Sequence, residues 1–369
     1  MKKVAVLVSG GVDSSVALAL LKEQGYDLTA FYLKIWLEDE LSFLGSCPWE
    51  EDLSFVRQVC ADLNVPLQIV NLQKEYFSRV VNLAVAQIKR GLTPNPDIFC
   101  NSLIKFGVFF EHLSDKFDYV ATGHYAQVEH GEVVSTLKLS NDRIKDQTYF
   151  LSRLTQTQLR KALFPVGALN KVEVRSLAVK LDLPSKNRKD SQGLCFLGKI
   201  KFEDFIREAV GVCEGDIVEL ETGKVLGKHK GFWFFTIGQR KGLGLSGGPF
   251  YVSKKDAVQN IIFVSNRYFE VDKKRDLLLV TDLHWLAELS EEDGPNMRGV
   301  SMLVKLRHGP VFYSCLFERQ GDDARVQLIN VRDQGISPGQ FVVFYKDDVC
   351  VGSGMIVADL DTPTRLMPG

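Results

Sequence analysis

The sequence predicts an α/β chain in which a doubly wound parallel sheet (residues 1–210) precedes a small β-rich domain (211–275) and a C-terminal β-barrel (276–369). Three observations predict it. Valine-rich apolar runs alternate with amphipathic helical stripes in the first third of the chain. A glycine-rich turn joins the first such strand to the first such helix. Near residue 210 the texture changes to short strand-like runs separated by Gly-rich turns.

Lys2 to Ser9 is a short apolar run of the kind buried in parallel sheets. Asp13 to Gln24 carries Val16, Ala17, Leu20 and Leu21 on one helical stripe, with Gly25 as C-cap. Leu28 to Ile35 follows as a strand, Asp52 to Leu63 as a helix, Leu67 to Leu72 as a strand and Tyr76 to Arg90 as a helix. After a TPNPD turn come a helix over Leu103 to Leu113 and a strand over Tyr119 to Thr122. Strands spaced by helices of this length form βαβ units and a parallel sheet. The β-rich domain is read in Asp216 to Leu220, Lys224 to Leu226, Phe232 to Ile237, Phe250 to Val252 and Ile261 to Val264. The barrel is read in Leu277 to Thr281, Val300 to Leu306, Val311 to Phe317, Arg325 to Leu328, Phe341 to Tyr345 and Val351 to Val357.

The 369 residues are 45% hydrophobic and 25% charged, with a formal net charge of -1, which excludes collagen-like, disordered and disulfide-framework classes. No apolar run approaches the roughly 18 to 20 residues that cross a bilayer. The start, MKKVAVLVSGGVDSS, has too short an apolar stretch for a signal peptide, so a cytoplasmic location is expected. Seven scattered cysteines contain no C-x-x-C pair, which argues against a zinc ribbon or a thioredoxin motif. The near-zero charge averages unlike parts. Residues 186–275 hold 17 Lys/Arg against 11 Asp/Glu, whereas residues 36–62 hold seven Asp/Glu against one Arg.

The strongest chemical signal is Leu7-Val8-Ser9-Gly10-Gly11-Val12-Asp13-Ser14, between strand and helix. Glycines there bring backbone N–H groups close to an anion, and the helix start adds donors where its dipole favours negative charge. No Lys follows the glycines, so this is not a Walker A loop, nor is it a G-x-G-x-x-G dinucleotide turn. Asp13 is either an N-cap or a metal contact.

Cys100 follows Thr93-Pro94-Asn95-Pro96-Asp97, near a helix start that tends to lower a thiol pKa, and Asp97 is placed to move a proton. Cys195 follows the cations Lys186, Arg188 and Lys189, which favour thiolate. Each of these two cysteines also admits the reading of a buried apolar thiol. Cys60, Cys213, Cys315 and Cys350 lie in apolar patterns and are read as buried; Cys47 stays open. Gly123 and His124 are either a nucleotide contact or an ordinary turn. Arg240 and Lys241, beside Phe232 to Phe235, are the residues most suited to reach RNA phosphate.

The loop resembles the SGGxDS loop of the N-type ATP pyrophosphatases (the PP-loop superfamily), which cleave ATP to AMP and pyrophosphate. With it occur TPNPDIFCN, ATGHYA, KDQTYFL, LFPVG, DSQGLCFLG and TIGQRKGLG, in that order. Together these resemble the tRNA-specific 2-thiouridylase family, MnmA, across essentially the whole chain. The resemblance implies a PP-loop fold and an ATP-dependent sulfurtransferase acting on a wobble uridine of tRNA. It implies adenylation of the uracil 2-oxygen by ATP, with Mg²⁺, and sulfur delivered from a cysteine persulfide. In that reading Cys195 carries the persulfide and Cys100 is the nucleophile that releases sulfur, or forms a disulfide with Cys195. ATP is held by Leu7 to Ser14, Leu33 and Gly123. Asn95, Pro96 and Asp97 meet the target base, while Lys145, Asp146, Gln147, Arg307 and His308 contact tRNA. The partners implied are tRNA and an upstream sulfur-carrier protein, for a monomer with no metal site built from its own side chains. The alternatives are another PP-loop adenylating synthetase, or a non-catalytic ATP-gated RNA-binding protein.

Overall fold

The computed structural model describes residues 1–35, 49–113, 116–190, 201–268, 275–286, 299–333 and 335–357. The first sheet contains β1 (Lys3–Leu7), β2 (Asp27–Lys34), β3 (Leu67–Asn71) and β4 (Tyr119–Ala121). A hairpin of β5 (Gln127–His130) and β6 (Ser135–Lys138) intervenes before its last strand, β7 (Ala162–Leu163). The order is β3-β2-β1-β4-β7 with every pairing parallel. The apolar run in β1 is continuous because both sheet faces are covered. Ala5 and Leu7 join the core beneath the helices at 73–89 and 96–113. Val4 and Val6 face the opposite way, against Leu18 and Leu21 of the helix Val12–Glu23 and Leu53, Val56 and Val59 of Trp49–Asp62.

Two local features depart from the sequence pattern. The helix expected from Leu103 already begins at Pro96, with Asn95 as its cap: the Asn95 side chain accepts the Ile98 amide at 3.3 Å. Proline is tolerated in a first turn because its missing N–H would have no helical partner there. Over Cys100–Val108 this helix widens to i→i+5 turns, and Gly107 leaves helical geometry at φ -97, ψ -105. The second departure is at Phe232 to Ile237, which was expected as a strand. Phe232–Phe234 is instead a tight helical turn after Gly231 at φ 140. That turn brings both Phe232 and Phe235 into one core and lets the Trp233 ring N–H donate to the Gly211 carbonyl at 3.1 Å.

The second sheet, β8 (Gly215–Glu219), β9 (Val225–His229), β10 (Tyr251–Asp256) and β11 (Ile261–Ser265), has the order β10-β11-β8-β9. The third contains β12 (Leu277–Trp285), β13 (Val300–Lys305), β14 (Tyr313–Gln320), β15 (Asp323–Leu328), β16 (Phe341–Lys346) and β17 (Val349–Val357). These six run β12-β15-β14-β13-β16-β17, and a β12–β17 pairing closes them into a barrel around Val280, Val304, Phe317, Val326 and Phe344. The β5–β6 hairpin extends this sheet: Lys138 and Leu137 pair with Val349 and Cys350. The α/β portion and the barrel are therefore joined through backbone. Among the described residues no helix is long and apolar enough to cross a membrane.

Candidate active site

The phosphate loop lies at the carboxyl end of β1, where α/β sheets open their ligand crevices. Gly10 sits at φ 78, and a Cβ there would stand 2.6 Å from the Asp52 carbonyl oxygen. Gly11 is the N-cap of the helix Val12–Glu23, so Asp13 falls in the first turn and is not itself the cap. The Ser14 hydroxyl accepts the Ser9 amide at 3.2 Å and donates to the Gly11 carbonyl at the same distance. Leu7, Val8 and Val12 are buried, so contact with an anion at these positions falls to backbone N–H groups. Gly123 packs directly on this helix start. A Cβ there would meet the Ser14 nitrogen at 2.7 Å, so the position admits only glycine without a backbone shift.

Around the loop stands a lattice of charge. The Lys171 ammonium lies 2.7 and 2.9 Å from the two Asp13 oxygens and 2.8 Å from Asp190. Tyr125 donates its hydroxyl to Asp13 at 2.8 Å. Asp190 also takes Lys145 at 2.8 Å and Arg175 at 2.7 Å. Partial burial pushes the Asp190 carboxyl up, but hydrogen bonds from Lys145 and Lys171 outweigh it and hold the group well below the usual carboxylate range. Arg188 bonds the Gly10 carbonyl at 3.0 Å and Asp52 at 2.6 Å, bracing the loop from behind. Lys171 and Tyr125 engage the Asp13 carboxylate. Among the described residues no group of three or more His, Cys, Asp or Glu is arranged to hold an ion.

Cys100 is 1% exposed and shares a core cluster with Leu7 at the end of β1. The depressed thiol expected from its place near a helix start is not found. Burial pushes the thiol up and Asp97 adds to this, against the opposing pull of Lys105 and a Tyr76 hydrogen bond. Lys105, five residues on along the widened helix, also acts on His124, whose imidazole burial holds neutral, well below its usual range. The His124 Nδ1 lies 2.7 Å from the Thr122 hydroxyl. Gly123 packs on the phosphate helix, while the His124 ring meets Phe164 edge-on at 6.1 Å, and Phe164 meets Phe106 of the Cys100 helix at 6.0 Å. Cys195 lies outside the described residues, as does Cys47. Of the cations expected to act on Cys195, Lys186 pairs with Asp182 and Arg188 with Asp52. Cys60, Cys315 and Cys350 are buried as expected, whereas Cys213 is exposed.

The segments 95–97, 145–147 and 307–308 converge where the barrel meets the sheet domain. His308 stacks obliquely on Phe150 at 4.6 Å. Its imidazole is held below its usual range by burial and Lys305, with Asp146, Asp97 and Lys145 also acting on it. Two of the expected tRNA contacts lie in enclosed positions. Pro96 is buried within the helix start. Asp146 is 1% exposed and bonds Lys305 at 2.9 Å, the Thr148 hydroxyl at 2.7 Å and the Ser140 amide at 2.9 Å, which leaves its carboxylate enclosed by the fold. Gln147 accepts the Tyr125 amide at 2.9 Å, tying this segment to the Asp13 network.

Three family models match in succession: "tRNA methyl transferase HUP domain" over residues 2–199, "tRNA methyl transferase PRC-barrel domain" over 203–266 and "Aminomethyltransferase beta-barrel domain" over 275–356. A tRNA-specific 2-thiouridylase MnmA of Parabacteroides distasonis is 48% identical over 358 residues, 96% of this chain and 99% of that one. The chain belongs to the MnmA family. Other members are as similar: a Bacteroides thetaiotaomicron protein named tRNA-specific 2-thiouridylase MnmA 1 is 46% identical over 96% of this chain and 99% of its own, and one from Porphyromonas gingivalis 46% over 96% and 98%.

In this chain Arg240 and Lys241 are exposed in a turn whose Gly238 and Gly242 lie at φ 85 and φ 84. Arg307 is half exposed and bonded to Asp333 at 2.6 Å, so part of its donor fork is engaged within the fold. Leu33 is half-buried near the end of β2, beside β3. Lys171, Tyr125, Lys305 and Gln340 escaped sequence reasoning. Only Lys171 carried a local signal: Asn170 and Glu173 form a capping box that sets it at the first helical position.

Proposed function

We propose that the chain converts a tRNA uridine to 2-thiouridine at the expense of ATP. The observation that carries this reading is the placement of the phosphate loop, with Gly123 packed on its helix start, at the end of β1, where Leu7 shares one core cluster with the buried Cys100. It joins a pyrophosphate cradle to a thiol, the two parts that thiolation needs. The family-model descriptions speak of methyl transfer, for which a phosphate loop has no use, whereas the full-length relatives are named for 2-thiolation, which an ATP-binding loop suits.

ATP supplies the adenylyl group that makes the uracil 2-oxygen a leaving group. The residues suited to hold its phosphates are Ser9 to Ser14, with Gly123 giving backbone access and Lys171 and Arg188 as cations bonded to the loop. A persulfide on Cys195 attacks C2 through its outer sulfur, and AMP leaves with the oxygen. The Cys100 thiolate then attacks the Cys195 sulfur and breaks the S–S bond. The outer sulfur stays on the base, and the two cysteines form a disulfide that an external thiol reduces. An upstream persulfide protein is the sulfur source, and Lys145, Arg240, Lys241, Arg307 and His308 offer donors to tRNA.

The test is nucleoside mass analysis of tRNA incubated with ATP, Mg²⁺ and a persulfide donor. Wild type yields 2-thiouridine, while Cys100→Ser and Cys195→Ser bind tRNA but yield none. Full thiolation by either variant refutes the assignment.

A further inference from the structure

We propose that Gln340, from the barrel, is a positioning residue for Cys100. The turn before the Cys100 helix is poor in its own hydrogen bonds, because Pro94 and Pro96 have no N–H to donate and the carbonyls of Thr93 and Pro94 need donors from elsewhere. Gln340 supplies them: its Nε2 donates to Thr93 O at 3.0 Å and to Pro94 O at 3.1 Å. Its Oε1 accepts the Asn95 side-chain amide at 3.3 Å. That contact turns the Asn95 carbonyl oxygen toward the helix, where it caps Ile98 at 3.3 Å. A single side chain thus satisfies the turn and orients the cap of the helix that carries Asp97 and Cys100.

The neighbouring residues hold Gln340 in place. The Thr93 amide donates to Pro338 O at 2.7 Å, and Gly339, at φ 91, comes so close that a Cβ would lie 2.8 Å from the Thr93 nitrogen. The Gly339 amide donates to the Ile356 carbonyl and the Ile356 amide donates to the Gln340 carbonyl, each at 2.8 Å, anchoring the segment to β17. Phe341 meets Phe99, the residue before Cys100, edge-on at 5.8 Å, and its carbonyl accepts the Tyr149 hydroxyl at 2.9 Å. The barrel, beyond any part in holding RNA, sets the position of the thiol.

The catalytic consequence rests on the thiolation proposed above; the geometry does not. The test is therefore iodoacetamide labelling of the folded full-length chain, read by peptide mass at Cys100. Cys60 and Cys315, buried in other clusters, serve as internal references. Gln340→Ala, and the isosteric Gln340→Glu that sets a carboxylate against two carbonyls, are each expected to label about tenfold faster at Cys100 with the references unchanged. The thiolation kcat falls about tenfold while the ATP KM holds, and the unchanged labelling of Cys60 and Cys315 excludes loss of folded enzyme as its cause. An unchanged Cys100 rate, a parallel rise at all three cysteines, or an unchanged kcat overturns the proposal. If wild type forms no thiouridine, the functional reading falls, and the labelling comparison alone decides the role of Gln340.

Discussion

Replacing Lys305 by methionine strips the countercharge from a carboxylate enclosed by the fold. The Lys305 ammonium lies 2.9 Å from Asp146, with the two side chains 0% and 1% exposed. The aromatic rings of Phe312 and Tyr345 stand 4.5 and 5.6 Å from the ammonium. Methionine fills most of the lysine stem, so little cavity opens and the loss is electrostatic. Breaking a buried pair on one side costs about 3–5 kcal/mol. Asp146 keeps two donors, the Thr148 hydroxyl and the Ser140 amide, which sets the expectation at the lower end, about 3 kcal/mol. The Asp146→Asn/Lys305→Met pair removes both charges and keeps an acceptor, so its loss is smaller than the sum of the single losses by about 1.5 kcal/mol or more. The assay is urea unfolding followed by the fluorescence of Trp285, which stacks on Phe344 in the barrel core. With a slope of about 1–3 kcal/mol per molar urea, the single variant's midpoint drops by about 1–3 M. A drop below about 0.3 M, or strict additivity in the double variant, refutes the reasoning.

Gly123→Ala drives a methyl into the first turn of the phosphate helix. The ATP KM, read from AMP release, is expected to rise about tenfold or more while tRNA affinity is kept. Lys171→Met leaves Asp13 and Asp190 without their shared cation; ATP consumption falls about a hundredfold with unchanged circular dichroism, and near-normal consumption would remove Lys171 from the phosphate site. Burial favours the neutral Cys100 thiol, so its thiolate fraction and labelling rate climb about tenfold between pH 7 and 8. A plateau between pH 7 and 8 would show an activated thiolate in its place.

Much of the fold is legible in the chain because burial on both faces demands continuous apolar runs and a helix facing a sheet demands a stripe. The hairpin Gln127–His130/Ser135–Lys138 escaped because its first strand is half to fully exposed and mostly polar, leaving no apolar alternation to detect. The Pro96 helix start escaped because prolines that stiffen a turn also suit a first helical turn. Cys100 shows the limit at the level of chemistry. Its place near a helix start argues for a lowered pKa, yet packing against residues distant in sequence reverses the sign.

What the sequence determined by itself is what short-range sterics dictate: the strand–loop–helix cradle, the turn glycine at Gly10, and the order of its motifs. What the tertiary structure decided is which charge answers which. Asp13 meets Lys171 across 158 positions, Asp146 meets Lys305 across 159, and Asn95 meets Gln340 across 245. Such pairings leave no local pattern, because loop-closure entropy depends only weakly on length and the partner is selected by packing, which places it within about 3 Å.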